Sequence, residues 1–361
     1  MRVVIDVLGA PADSGGMRLY AEQLLRAWAQ VAPDDHLVVV GAPWVVEVLA
    51  GHPSASVHVV PEGFAARALG QWVRAGVVAR RSGADALLSV SPLVSPFAGP
   101  RPQVCIAHDW RHVRHPEEFP RHQRLYRRLW AWSATHATRS IQISAKTDAE
   151  TARIAPRARR VTVENGQDHP RTWPPVDPEP GADPFVVTYG HHANKRPDLV
   201  IRALRVAHER LGQRPRLVVL GAGGGLRERL RRTAVAQGVG AAVDFPGYVA
   251  TSVYQELIQR AGLVVLASSD EGFGLPVAEA RYFGIPVLST DDSGLAAIHG
   301  DRVVTAAATP GGLGTAMAEL LSEPGRRRPP ATVATWADTA RGIRDVLAEA
   351  AAQYVPAGQR R

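Results

Sequence analysis

The sequence predicts an α/β protein of two doubly wound domains, each a parallel sheet covered by helices on both faces. Three observations predict it. Short apolar, β-branched runs alternate with helical patterns from one end of the chain to the other. The runs are apolar throughout rather than at every second residue, as strands buried on both faces must be. The series is broken once, at Pro170–Pro184, where six prolines in fifteen residues exclude a helix or a central strand.

The first series of strands is Val3–Val7, Leu37–Val40, Val57–Val60, Ala86–Val90, Val104–Ala107, Ile141–Ser144 and Val161–Val163. The second is Phe185–Tyr189, Leu217–Leu220, Val243–Phe245, Leu263–Ala267, Pro286–Ser289 and Arg302–Thr305. This gives a first domain over residues 1–169, a stiff extended connector over 170–184 and a second domain over 185–330. A terminal amphipathic helix follows, with Ile343 and Leu347 four residues apart. Ligands of open parallel sheets bind beyond the carboxyl ends of the strands, so two facing sheets place a site in the cleft between domains.

A chain of 361 residues suits two domains, and 45% hydrophobic with 21% charged residues is an ordinary globular balance. Cys105 is the only cysteine, so no internal disulfide forms. With the Asp6-interrupted first strand in place of a signal segment, this predicts a cytoplasmic protein. No apolar run is long enough to span a bilayer. The net charge of +8 is concentrated: residues 111–160 hold twelve Arg or Lys against four acidic residues. That stretch is either a solvated basic face or a surface for anions. No helix-turn-helix, zinc spacing or aromatic-basic RNA signature accompanies it, which argues against a nucleic-acid partner. Arg121 to Arg139 reads as a helix with Leu125, Leu129 and Trp132 among arginines. Such a stripe either packs into the core or lies on an anionic membrane, peripheral at its inner face.

Residues 268–288 are the most informative segment. An apolar strand ends in a loop that holds Glu271, Gly272, Phe273, Gly274 and Leu275, with Pro276 placed to open a helix and Glu279 in its first turn. The glycines let amides approach a ligand, and the helix start favours an anion. Two carboxylates beside such a backbone suit a sugar joined to a diphosphate. Glu-Gly-Phe-Gly-Leu-Pro-x-x-Glu-Ala after a hydrophobic strand resembles the E-x7-E signature of the family 4 retaining glycosyltransferases of the GT-B superfamily, a group that includes mannosyltransferases.

The resemblance implies the GT-B fold, with the terminal helix, residues 334–353, crossing back through 326–330 to complete the first domain. It implies a donor site in the second domain and an acceptor site in the first. Glu271 would contact the transferred sugar and Glu279 the nucleotide ribose, with Gly272, Phe273, Gly274 and Leu275 offering amides. Lys195, in His191-His-Ala-Asn-Lys-Arg-Pro, falls on the family's phosphate-binding lysine. The family's arginine position holds His191, so the diphosphate meets a one-cation clamp of Lys195, or His191 or Arg196 replaces the missing arginine. Gly247-Tyr248-Val249 resembles the loop that cradles the base, and a plain turn explains it as well. In the first domain, Gly15 and Gly16 followed by Arg18 resemble the N-terminal glycine loop, which implies Gly15 and Gly16 at the donor and Arg18 toward the acceptor, or they make a tight turn. His108-Asp109, followed by His115-Pro116-Glu117, resembles a pair that lines the cleft in mannosyl-type transferases. This assigns His108 and Asp109 to the acceptor side, His108 also to catalysis, and leans toward GDP-mannose. Asn165-Gly166 resembles a structural turn that closes the first domain.

The implied reaction is transfer of a sugar, with retention, from a nucleotide diphosphate to a hydroxyl of a glycan, a lipid-linked sugar or a small molecule. It needs no cofactor beyond the nucleotide sugar and no metal, since no Asp-x-Asp stands at a strand end. Two rivals remain: a catalytically silent scaffold of the same fold that binds glycans or a membrane surface, and a salt-dependent nucleic-acid binder.

Overall fold

The computed structural model describes residues 1–176, 184–323 and 332–354. The chain divides into two compact units: Met1–Gly166 joined by the segment from Ala334 onward, and Gln167–Val333.

The first unit holds a seven-stranded parallel sheet. Its strands are β1 (Arg2–Asp6), β2 (His36–Gly41), β3 (Ala55–Val59), β4 (Ala86–Ser89), β5 (Gln103–Ala107), β6 (Arg139–Gln142) and β7 (Arg160–Thr162), in the order β3-β2-β1-β4-β5-β6-β7. The second unit holds a six-stranded parallel sheet of β8 (Val186–Tyr189), β9 (Leu217–Leu220), β10 (Val243–Gly247), β11 (Leu263–Leu266), β12 (Val287–Thr290) and β13 (Val304–Ala306). Its order is β10-β9-β8-β11-β12-β13. Both are doubly wound, and the order reverses between β1 and β4 in one and between β8 and β11 in the other. Such reversal points leave a crevice at the carboxyl end of the sheet. Every expected strand is present, shifted by at most two residues at an end.

Helices cover the sheets for a readable reason. In Pro197–Leu211, Val200, Ile201, Ala203, Leu204 and Ala207 recur at helical spacing and are buried against β8 and β9. The terminal helix Trp336–Gln353 opens with a capping box between Thr335 and Asp338. It packs on the helix Gly15–Val31 of the first unit. Two contacts fix it. Arg344 Nε and Nη2 donate to Asp35 at 2.8 and 3.1 Å. Gly166 lies under Trp336, where an added Cβ would stand 2.4 Å from the Trp336 amide nitrogen. The turn Asn165-Gly166 is therefore a seat for this helix.

Three expectations need correction. Prolines were expected to keep 170–184 free of helix, yet His169–Thr172 is one 3₁₀ turn with Pro170 in its first positions, where the missing amide costs nothing. Trp173 then packs with Tyr254 and Phe283, so this stretch belongs to the second unit. Residues 177–183 of the connector and the crossing at 326–330 lie outside the described residues. The basic helix ends at His136, because Arg139 already belongs to β6. Its Leu125–Trp132 stripe is not core: Leu125 is 66% and Trp132 42% exposed, while Tyr126, Trp130 and Ala134 face inward.

Candidate functional site

In the second unit the crevice between β8 and β11 gathers Lys195 and Glu271. After β8 the chain passes Gly190, His191 and His192 and makes a 3₁₀ turn at Ala193–Lys195. After β11 it forms the loop 267–274. The Ser269 amide donates to the Asn194 carbonyl at 2.9 Å, joining the two loops. Lys195 Nζ donates to Glu271 Oε1 in a short contact, with both side chains 13% exposed. Beside them Asn194 is buried, and both polar atoms of its side chain have no hydrogen-bond partner. A buried amide in that condition is costly unless a ligand or water completes it.

The helix Leu275–Tyr282 starts from Gly274 at φ 80°. Only glycine fits: the φ is left-handed, and a Cβ would meet Leu295 Cδ2 at 2.5 Å. The amides of Phe273, Gly274 and Leu275 donate no hydrogen bond to another described residue. They form the positive end of the helix beside Glu271. His299 Nε2 donates to the Phe273 carbonyl at 2.7 Å and steadies the loop from behind. Burial holds that imidazole neutral, its pKa lowered to about 4.

Glu279 sits deeper, 4% exposed. His169 Nε2 donates to its Oε1 at 3.0 Å, and the Tyr254 hydroxyl donates to Oε2 in a short bond. The Tyr189 hydroxyl lies 3.1 Å from that of Tyr254. Burial and the Glu279 charge push both phenols well above the usual range, so they remain donors. Tyr248 is 78% exposed on the loop after β10, whereas Val249 leans on the core. His191 packs edge-on to Tyr189 and His192.

Arg196, which the sequence offered as a second phosphate ligand, is bound within the protein. At φ 46° it turns inward. Its guanidinium donates to the carbonyls of Ala267 and Ser268, to Thr290 Oγ1 and to both carboxylate oxygens of Asp292. It ties the ends of β11 and β12 to the lysine loop. The Asp292 carboxyl is held below its ordinary range by these bonds.

In the first unit, Gly15 and Gly16 are the first residues of their helix, and open space surrounds Gly15. Arg18 donates to the Ala12 carbonyl at 3.2 Å and stacks over Trp44, so it braces the loop. His108 Nε2 donates to the Val90 carbonyl at 2.9 Å, and burial lowers its pKa. The ring is neutral, with Nδ1 as the acceptor nitrogen. Asp109 Oδ1 accepts from the Arg111 amide at 3.1 Å. Burial works against its charge, but Arg127 and Arg111 outweigh that and hold the carboxyl below its usual range.

Sequence reasoning missed a buried network at the β1–β4 crevice. Asp6 accepts from the Leu8 amide, Ser89 Oγ and Gln71 Nε2, and Tyr126 donates to Gln71 Oε1. Burial raises the Asp6 pKa to about 6. The one available signal was a carboxylate inside an apolar strand. It also missed Asn194, His169, Tyr254 and His299, whose positions near the loop follow only from the fold. Among the described residues no cluster of three or more His, Cys, Asp or Glu could hold a metal ion, and no helix is long and apolar enough to cross a membrane.

Residues 171–333 match the family of group 1 glycosyl transferases. No curated protein matches the chain. Among solved structures the chain resembles sucrose-phosphate synthase from Thermosynechococcus elongatus, at 19% identity over 98% of this chain and 97% of that one, TM-score 0.70. It resembles Anabaena HepE, determined in complex with UDP and glucose, at 18% identity over 98% of each chain, TM-score 0.66. It also resembles WaaG, a glycosyltransferase of lipopolysaccharide biosynthesis, at 18% identity over 98% of this chain and all of that one, TM-score 0.65. These likenesses establish the GT-B fold.

Proposed function

We propose that the protein is a retaining glycosyltransferase that moves a sugar from a nucleotide diphosphate to a hydroxyl acceptor. The observation that carries this reading is the group at the β8–β11 crevice: Lys195 beside Glu271, the unpartnered Asn194 amide and the open amides of Phe273, Gly274 and Leu275. A leaving diphosphate gains negative charge in the transition state, and a lysine with a helix end stabilises it there. Once phosphate engages Lys195, the Glu271 carboxylate is released to accept from sugar hydroxyls. Glu279, oriented by His169 and Tyr254, reads the ribose, and Tyr248 offers an exposed ring to the base. His108, neutral and with Nδ1 as acceptor, receives a hydrogen bond from the sugar or the incoming hydroxyl.

We read none of the described carboxylates as a covalent nucleophile, so attack on the face of the departing phosphate is the preferred course, without an essential metal. The His108-Asp109 likeness favours GDP-mannose, and the UDP complex of HepE makes UDP-glucose the first competitor to test. The acceptor is a glycan, a lipid-linked sugar or a small molecule, and the segment 111–160 brings the enzyme to an anionic membrane from the cytoplasmic side. Turnover of a panel of nucleotide sugars, with and without chelator, tests the proposal. Donor turnover that survives chelation and is lost in Glu271→Ala is expected; no turnover of any donor, or abolition by chelator, refutes it. One observation favours a second reading, a silent scaffold: Arg196, the substitute for the family's arginine, is committed to Asp292. Nucleotide-sugar binding without turnover supports that reading.

A further inference from the structure

The basic helix Arg121–His136 of the first unit borders a groove of about 570 Å³. The helix Arg111–Arg114 and the turn Pro116–Glu118 lie across from it. The walls carry His112, Arg121, Arg124, Leu125, Arg127 and Arg128, and no acidic side chain lines them. The nearby carboxylates Glu118, Glu150 and Asp148 pair with Arg111, Arg114 and Arg160, and Asp109 shares the charge of Arg127, so the uncompensated positive charge of the groove is that of Arg121, Arg124 and Arg128.

The floor of the groove is a built anion seat. The Arg127 guanidinium carbon lies 4.5 Å from the ring centres of both Phe119 and Trp130, which hold it in place by cation–π attraction. His112 is 8% exposed, and its Nδ1 is buried with no hydrogen-bond partner. Burial, with Arg127 beside it, lowers the His112 pKa to about 4, so the ring is neutral. A ligand with both a hydroxyl and a phosphate oxygen satisfies that nitrogen in either tautomer.

The outer face of the helix continues the pattern. Arg121, Arg124, Leu125, Arg128 and Trp132 follow one another at helical spacing and are exposed, and the helix contains no Asp or Glu. Arginine beside exposed Leu and Trp is the composition of a headgroup-level surface, where stems and rings enter the acyl boundary and charges stay among phosphates.

We propose that this groove binds the phosphate and glycerol headgroup of an anionic phospholipid, with Leu125 and Trp132 entering the bilayer beside it. The proposal rests on the membrane contact offered above and gives it a site and a ligand. It is independent of the sugar chemistry.

The test uses the full chain and sedimentation with vesicles of phosphatidylcholine alone, and with about 30 mol% phosphatidylglycerol. Partition onto the anionic vesicles only is expected. Arg124→Gln and Arg128→Gln each lower it about fivefold, the loss of about 1 kcal/mol per basic residue at an anionic surface. Leu125→Asp lowers it further while nucleotide-sugar turnover in solution stays at the parent level. Brominated lipid quenches tryptophan fluorescence in the parent and less in Trp132→Phe. Circular dichroism confirms that these exposed substitutions leave the fold intact. Equal partition onto neutral vesicles, or no loss in the arginine variants, overturns the proposal. Full release by millimolar inorganic phosphate also overturns it, and assigns the groove to free phosphate. Because turnover is read separately, a protein that transfers sugar but ignores vesicles sinks this inference alone. One that binds vesicles but turns over no donor sinks only the enzyme reading.

Discussion

Replacing Lys195 with alanine removes the cation of the β8–β11 crevice and leaves Glu271 without it. Only two of the 42 basic residues are lysine, so in a chain that otherwise chooses arginine this position holds a compact ammonium. In the free protein Lys195 and Glu271 neutralise one another at 13% exposure. A transition-state contact of this kind is worth about 2.7–4 kcal/mol, or about 10²–10³ in rate. Lys195→Ala is therefore expected to lower kcat/KM for the preferred nucleotide sugar by about 10²–10³. Glu271→Ala is expected to lose a similar factor, because its carboxylate positions the sugar and also orients the lysine. Groups that act as a unit are not additive. The double variant should then fall no further than about tenfold below either single one. Lys195→Arg should restore only part of the loss, since the planar fork does not occupy the ammonium's place. The assay is release of the nucleoside diphosphate under kcat/KM conditions for the parent and the four variants, with thermal melts to confirm folding. Lys195→Ala at half the parent rate or better refutes the reasoning, and so do single losses that multiply in the double variant.

Arg196→Ala should act on stability rather than on phosphate binding. Hydrogen bonds to a charged group contribute about 1.5–3 kcal/mol each when shielded, and the exposure of Asp292 reduces that, so a loss of about 2–3 kcal/mol by denaturant melting is expected with donor KM nearly unchanged. Tyr254→Phe removes one donor to Glu279 and should raise donor KM and lower Tm; an unchanged KM removes Glu279 from the ribose. Asp35→Ala tests the terminal helix. Burial tends to raise the Asp35 pKa, but bonds from Arg344, the N-terminal ammonium and Trp28 overcome it and lower the pKa below 3.8. A depressed carboxyl stabilises the fold above its unfolded pKa and loses that contribution as pH falls through the folded value. The Tm gap between parent and variant should be full at neutral pH and close below about pH 4. Gly166→Ala should cost several kcal/mol, on the order of a severe core lesion, because the clash is with Trp336 backbone; a melt within about 0.5 kcal/mol of the parent contradicts the seat.

Both sheets were legible because strands buried on two faces are written as unbroken apolar runs. Leu217–Leu220 and Leu263–Leu266 were located from composition alone. The loop at Glu271 was legible because it needs glycines, a proline and carboxylates in fixed order. The rest depended on contacts between segments distant in sequence. Arg196 looked like a phosphate ligand, since nothing local showed Asp292 waiting 96 residues away. Helical periodicity alone could not say which stripe of Arg121–His136 faces inward, because Leu125–Leu129–Trp132 and Tyr126–Trp130–Ala134 are both apolar enough. Packing against Gln71 and His112 chose the second. His169 was hidden for a similar reason: the prolines around it describe a connector, and only the fold brings it to Glu279.

The state of Glu279 bears on what the crevice can bind. An ionised carboxylate offers about four acceptor positions on its two oxygens. His169 occupies one on Oε1 and Tyr254 one on Oε2, which leaves one on each oxygen. That remainder matches a pair of vicinal hydroxyls, each donating to a different oxygen, which is what a ribose presents. A single hydroxyl would leave one position idle in a buried site, and a phosphate would bring repulsion. The same two residues that cover the carboxylate thus orient it, and in the proposed function they suit it to a diol. Under the proposed function, ribonucleoside selection rests on this hydrogen-bond count, and base selection rests on Tyr248 and its exposed loop.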